Sequence, residues 1–129
     1  MRTKNWLKGI LLVAALSAPV WAAAADAAPA GSRAGGKALP RLVDLGAGAC
    51  VPCKAMAPIL EGLRAEYAGR MDVVFIDVWK DRAAAEAHGV RMIPTQIFYG
   101  ADGKELARHE GFIDRAGILA RWKALGVRL

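Results

Sequence analysis

The only cysteines in the chain, Cys50 and Cys53, stand three residues apart in Cys50-Val51-Pro52-Cys53. At a helix start, thiols so spaced can reach each other and close a small ring without moving the backbone, which suits reversible oxidation. The free N–H groups and dipole of a helix N-terminus also stabilise a thiolate, which makes Cys50 the more reactive of the two. Three other chemistries compete for the pair. Attachment of a c-type haem needs a histidine directly after the second cysteine, and Lys54 stands there. A zinc site needs two more ligands, and the only histidines, His88 and His109, fall within separate elements, so no metal and no other cofactor is expected. A purely structural disulfide remains the plain alternative, although closing a two-residue loop restrains little of the unfolded chain.

The elements that must position these thiols are readable from apolar spacing. Leu39 to Leu45 reads as a mostly buried strand ended by Gly46-Ala47-Gly48, and it runs directly into the cysteines. From Cys50 to about Ala68, Met56, Ile59, Leu60, Leu63 and Tyr67 recur three and four apart, which predicts an amphipathic helix bent at Pro58. Met71 to Val78 is a Val/Ile/Phe run of strand length, and Asp81 opens a short alanine-rich helix ending near His88. The two strands joined through a helix should be parallel. Thr95 to Tyr99, the turn Ala101-Asp102-Gly103 and Glu105 to His109 predict an antiparallel hairpin. Ile118, Leu119, Trp122 and Leu125 then mark one face of a closing helix that starts near Asp114. The fold class is α/β, a central mixed sheet with helices on both faces.

Ahead of this domain, at 39–129, two segments read differently. Residues 1–25 combine a basic start (MRTKNWLK), an apolar stretch and small residues around Ala22 to Ala25, the pattern of an export signal cleaved near 22–25, with retention as a membrane anchor as the alternative. Residues 26–38 form an Ala/Gly/Pro-rich flexible linker. Export points to a bacterial periplasm, where disulfide chemistry is permitted. The formal charge of +6 shrinks once Arg2, Lys4 and Lys8 are set aside with the signal, since 15 basic residues then face 12 acidic ones. They are scattered singly rather than clustered, so no nucleic-acid partner is expected.

LVDLGAGACVPCKAMAPIL resembles the strand, active-site loop and kinked helix of the thioredoxin family, and the resemblance runs from about Leu39 to Gly126. Asp44 lies six residues before the first cysteine, Pro58 five after the second, GVRMIPT is similar to the segment bearing the family's cis-proline, and Gly111 follows 17 residues after Pro94. The resemblance implies that Cys50 attacks a substrate disulfide and Cys53 resolves the mixed disulfide. Asp44 would exchange a proton with Cys53, and a cis Pro94 would present the backbone of Ile93 to an extended substrate. Val51, Pro52, Thr95 and Gly111 would complete the substrate-binding rim.

The departures are specific. Ala49 and Gly46 stand where thioredoxin has tryptophans, Phe75 where it has a lysine near the buried carboxylate, and the family's N-terminal strand and helix have no convincing counterpart in residues 23–38. The expected activity is thiol-disulfide exchange by a monomer. Proline rather than histidine after Val51 favours reduction of exported disulfide-bearing proteins, recharged by a membrane-embedded electron donor. A disulfide-donating oxidant or isomerase is the alternative, and a non-catalytic binding module a more distant one.

Overall fold

A computed structural model describes residues 38–129; the segments read as export signal and linker lie outside the described residues, apart from Ala38. The chain order is β1 (Arg41–Gly46), α1 (Val51–Glu66), β2 (Asp72–Asp77), α2 (Arg82–Ala87), β3 (Thr95–Tyr99), β4 (Glu105–Glu110) and α3 (Arg115–Ala124). The four strands form one mixed sheet in the order β2-β1-β3-β4. β1 and β2, joined through α1, run parallel, whereas β1 with β3 and β3 with β4 run antiparallel.

The ends of these elements differ slightly from the apolar pattern, for reasons visible in the hydrogen bonds. β1 begins at Arg41 and runs on to Gly46, which pairs with Asp77. Pro40 stays outside the strand yet accepts from Asp72 N through its carbonyl. The first helix stops at Glu66, because the Tyr67 carbonyl turns to receive Arg70 and Met71 N–H and Gly69 takes φ +75°. β4 gains Glu110, which pairs with Thr95. Asp81 and Asp114 cap their helices, accepting from Ala84 N at 2.9 Å and Gly117 N at 2.7 Å.

Strand alternation sorts the core into two layers. Leu42, Val73 and Phe98 face α1 and α3, burying Met56, Leu60, Leu63, Ile118 and Trp122 with them. Phe98 meets Trp122 edge to face at 5.0 Å. Each such side chain contributes about 1.5–3 kcal/mol on burial, so this layer anchors the cysteine-bearing helix to the sheet. Val43, Leu45 and Ile97 point the other way, towards Val78, Val90 and Ala85 of α2. Helices therefore cover both faces, as the alternation of strands and helices predicts.

The register gathers four connections at one end of the sheet. Gly46 is level with Asp77, Leu45 with Thr95 and Thr95 with Glu110. The loop into Cys50, the loop after β2, the approach to Pro94 and the turn at Gly111 therefore all leave the sheet at the same edge.

Candidate active site

Cys50 is the N-cap of α1, with extended backbone (φ −77°, ψ 122°), and its Sγ accepts from Cys53 N at 3.4 Å. Its neighbours Val51 and Pro52 occupy the first turn, where a proline costs no helical hydrogen bond. Cys50 and Cys53 are joined as a disulfide, with Cα atoms 5.2 Å apart. One helical turn separates their exposure. Cys50 is half-buried, whereas Cys53 is only 4% exposed beneath it and Val51 is 78% exposed beside it. An attacking sulfur is thus reachable from solvent and its partner is screened.

Behind the thiols the sheet presents a row of side chains. Phe75, Asp44, Gln96 and His109 sit level on β2, β1, β3 and β4, and alternation puts them on the face that α1 covers. Gly46 follows two residues after Asp44 on that face, and a Cβ there would lie 3.1 Å from the Phe75 ring and 3.2 Å from both Cβ and Sγ of Cys53. Cys53 is therefore seated directly against the strand that carries Asp44. The glycine leaves room for the buried sulfur, and the Phe75 ring closes in beside it.

Asp44 is fully buried, and burial pushes its carboxyl up to about 6 from an ordinary 3.8. A hydrogen bond opposes that rise: Gln96, also fully buried, donates from Nε2 to Asp44 Oδ1 at 2.7 Å. A carboxyl so placed changes protonation near neutral pH, the range a proton acceptor for a thiol requires.

The remaining residues singled out in the sequence converge on the same edge. The Ile93–Pro94 peptide is cis and Pro94 is buried. Gly111, at φ +97°, donates to the Pro94 carbonyl at 2.7 Å, which fastens the turn after β4 to the cis-proline segment. Buried Thr95 donates from Oγ1 to Met92 O at 2.7 Å, so its hydroxyl braces the same segment from within, and Ile93 is half-buried in the α2-side layer.

Two residues escaped the sequence reading. Gln96 lies inside an apolar strand two residues after Pro94; the signal that could have found it is a lone amide at the position alternating with Phe98. Asp77 joins two loops: Oδ2 accepts from Gly48 N at 3.2 Å, and Oδ1 from Trp79 N at 3.0 Å and Lys80 N at 3.4 Å. It ties the loop before Cys50 to the one that holds Trp79 60% exposed. His88 and His109 are engaged separately, His88 Nδ1 with Tyr99 Oη at 2.9 Å and His109 Nε2 with Phe112 O at 3.3 Å. Among the described residues no group of three or more His, Cys, Asp or Glu side chains could hold a metal ion.

Comparison with known proteins gives a consistent family. The thioredoxin family model matches residues 36–124. Thioredoxin C-2 of Corynebacterium nephridii is 41% identical over 81 residues, covering 63% of this chain and 74% of its own. A thioredoxin of Staphylococcus aureus is 40% identical over 72 residues, 56% of this chain and 68% of its own. Among solved structures, chloroplastic thioredoxin z superimposes with a TM-score of 0.62 at 28% identity, covering 70% of this chain and 80% of that one. A malarial protein does so at 0.64 and 22% identity, over 69% of this chain and 99% of its own, and speaks for the fold alone.

Proposed function

The chain belongs to the thioredoxin family and is a thiol-disulfide oxidoreductase, and from that premise we propose that it works in a bacterial periplasm, reducing disulfides of exported proteins. The observation that carries this reading is the Cys50–Cys53 disulfide at the start of α1, with one sulfur accessible and the other screened. In the dithiol form the Cys50 thiolate attacks one sulfur of the substrate disulfide. A bond forms between Cys50 and that sulfur, and the second substrate sulfur leaves as a thiolate. Cys53 then gives its proton to Asp44 and attacks Cys50 Sγ. The internal disulfide closes and the remaining substrate sulfur leaves, so two electrons have passed from the dithiol to the substrate.

The exposed Val51 and Pro52, with the half-buried Ile93 and Gly111 beside the buried Pro94, receive the extended segment around the substrate disulfide through main-chain contacts. Residues 1–25 support the location, since their pattern is that of an export signal. Proline in the second position between the cysteines supports the direction, because a histidine there would stabilise the Cys50 thiolate and favour an oxidant. A reductant outside the cytoplasm must be recharged, which calls for a membrane-embedded electron donor.

The test combines a redox titration of the purified protein against glutathione with trapping in Cys53→Ala. A potential below the glutathione couple, and mixed disulfides between Cys50 and exported proteins, are the expected results. A potential well above that couple refutes the reducing direction. A Cys50→Ala variant that still reduces insulin at the full rate refutes the whole mechanism.

A further inference from the structure

Two fully buried side chains, Asp44 and Gln96, face each other across β1 and β3, and the sequence reading assigns a role only to the first. One hydrogen bond joins them, Gln96 Nε2 to Asp44 Oδ1 at 2.7 Å. The other atom of each group, Asp44 Oδ2 and Gln96 Oε1, is buried without a partner. Both orphans are acceptors, and leaving a buried acceptor unpaired is costly. A single proton on Oδ2, donated to Oε1, would satisfy both at once, as in the reciprocal pair that a carboxylic acid forms with a primary amide, one O–H···O and one N–H···O bond.

We infer that Gln96 is a positioning residue of the exchange reaction: it holds Asp44 in either protonation state, donating from Nε2 to the carboxylate and accepting through Oε1 the proton that Oδ2 takes up. The inference rests on the reading of Asp44 as proton acceptor for Cys53. When Cys53 attacks, its proton moves to Oδ2 and is held between the two side chains without either one shifting. When the dithiol is regenerated, the proton returns to the sulfur. On the sheet face that carries Asp44, the titratable side chains are Asp77, one alternation beyond Phe75 on β2, and His109, beyond Gln96 on β4; α1 adds Cys53, seated against Gly46 two residues along β1, and α3 packs the apolar Ile118 and Trp122 into the layer of Leu42 and Phe98. Asp77 spends its carboxylate on the backbone of residues 48, 79 and 80, and among the described residues only Gln96 bonds to Asp44.

Gln96 steadies the carboxylate more than the acid, because a hydrogen bond to a charged acceptor is roughly twice as strong as a neutral one. Removing it should therefore raise the midpoint at which Asp44 titrates. The measurement is the carbon-13 carboxyl shift of Asp44 in the oxidised full-chain protein, followed from pH 4 to 9. It is paired with the pH dependence of the rate at which the reduced protein reduces a disulfide peptide. Gln96→Met keeps the length of the side chain without its polar atoms, and Gln96→Leu is the second variant should the first not fold.

The expected result is a midpoint about one pH unit higher than in the parent protein, with the pH–rate profile moving alongside it. A midpoint that stays in place or falls in a folded variant overturns the inference. The parent protein supplies a check that needs no variant: the infrared C=O stretch of protonated Asp44 should lie at the low frequency of a hydrogen-bonded acid, and the frequency of a free acid overturns the pair. Asp44→Asn separates the two levels. If it leaves the pH–rate profile unchanged, Asp44 is not the proton acceptor; if it abolishes the step while Gln96→Met leaves the carboxyl midpoint unmoved, Gln96 alone loses its role.

Discussion

Replacing Asp44 by asparagine should make the oxidised protein more stable at neutral pH, by an amount that follows from its burial. The carboxyl titrates at about 6 in the fold against an ordinary 3.8. A group whose folded pKa lies above its unfolded value binds its proton preferentially in the folded chain, so folding takes up a proton between about pH 4 and pH 6. Stability therefore falls as pH rises through that window and levels off above it. At about 1.4 kcal/mol per unit, two units cost the native state about 3 kcal/mol at pH 7 and nothing at pH 3.5. Asparagine has nearly the same shape, can still bond to Gln96 and carries no charge, so it escapes the cost. Urea unfolding of both oxidised proteins from pH 3.5 to 8 measures the difference directly, and other titrating groups cancel between them. The two should coincide at pH 3.5 and separate to about 3 kcal/mol above pH 6, on the order of 10 to 20 °C in Tm for a domain of this size. A constant offset across the whole range, or no offset at pH 8, would refute the assignment of the cost to a buried carboxylate.

Other perturbations probe different physics. Gly46→Val drives three extra carbons towards the Phe75 ring and the Cys53 sulfur, and overpacking of this kind costs about 1–3 kcal/mol; unchanged denaturant stability would show that the strand end yields freely. Gly111→Ala meets no atom within 4 Å but must hold φ +97°, so its cost of about 1–2 kcal/mol is conformational, and Asn at the same position should lose less. For His88, burial first and then the Arg41 and Arg108 charges push the imidazole below its ordinary 6.5. The unfolded chain then binds the proton more readily, so this residue favours folding increasingly as pH rises through the window below 6.5. An NMR titration of His88 with a midpoint at or above 6.5 would contradict that account.

How much of this was open to a reader of the sequence depends on whether the information is local. The thiol spacing, the helix caps Asp81 and Asp114 and the hairpin turn at Gly103 are short-range features whose chemistry acts within a few residues, so they could be read one at a time. Asp44 was reachable only through resemblance, because an aspartate in a strand does not announce whether it faces water or sulfur. Gln96 was invisible for a related reason: its significance comes from a partner 52 residues away, fixed by the register of two antiparallel strands. The tight seat at Gly46 belongs to the same class. A glycine read as loop punctuation turned out to be the last residue of β1 and the one against which Cys53 packs. Asp77 reads as an ordinary strand-end acid until the parallel pairing brings Gly48 alongside.

The sheet order leaves the outer side of β2 without a neighbouring strand among the described residues. Its sequence, Asp-Val-Val-Phe-Ile-Asp, is four β-prone apolar residues between two carboxylates. If two copies met along this edge in an antiparallel register centred on the strand, Asp72 of each would fall opposite Asp77 of the other. In a parallel in-register pairing, Asp72 would meet Asp72 and Asp77 would meet Asp77. Either geometry opposes like charges at both ends of the ladder, an arrangement that disfavours edge-to-edge growth. The pair of aspartates thus acts as a solubility guard on this edge strand, and neutralising Asp72, which has none of the loop contacts of Asp77, should show first as aggregation rather than as lost redox activity.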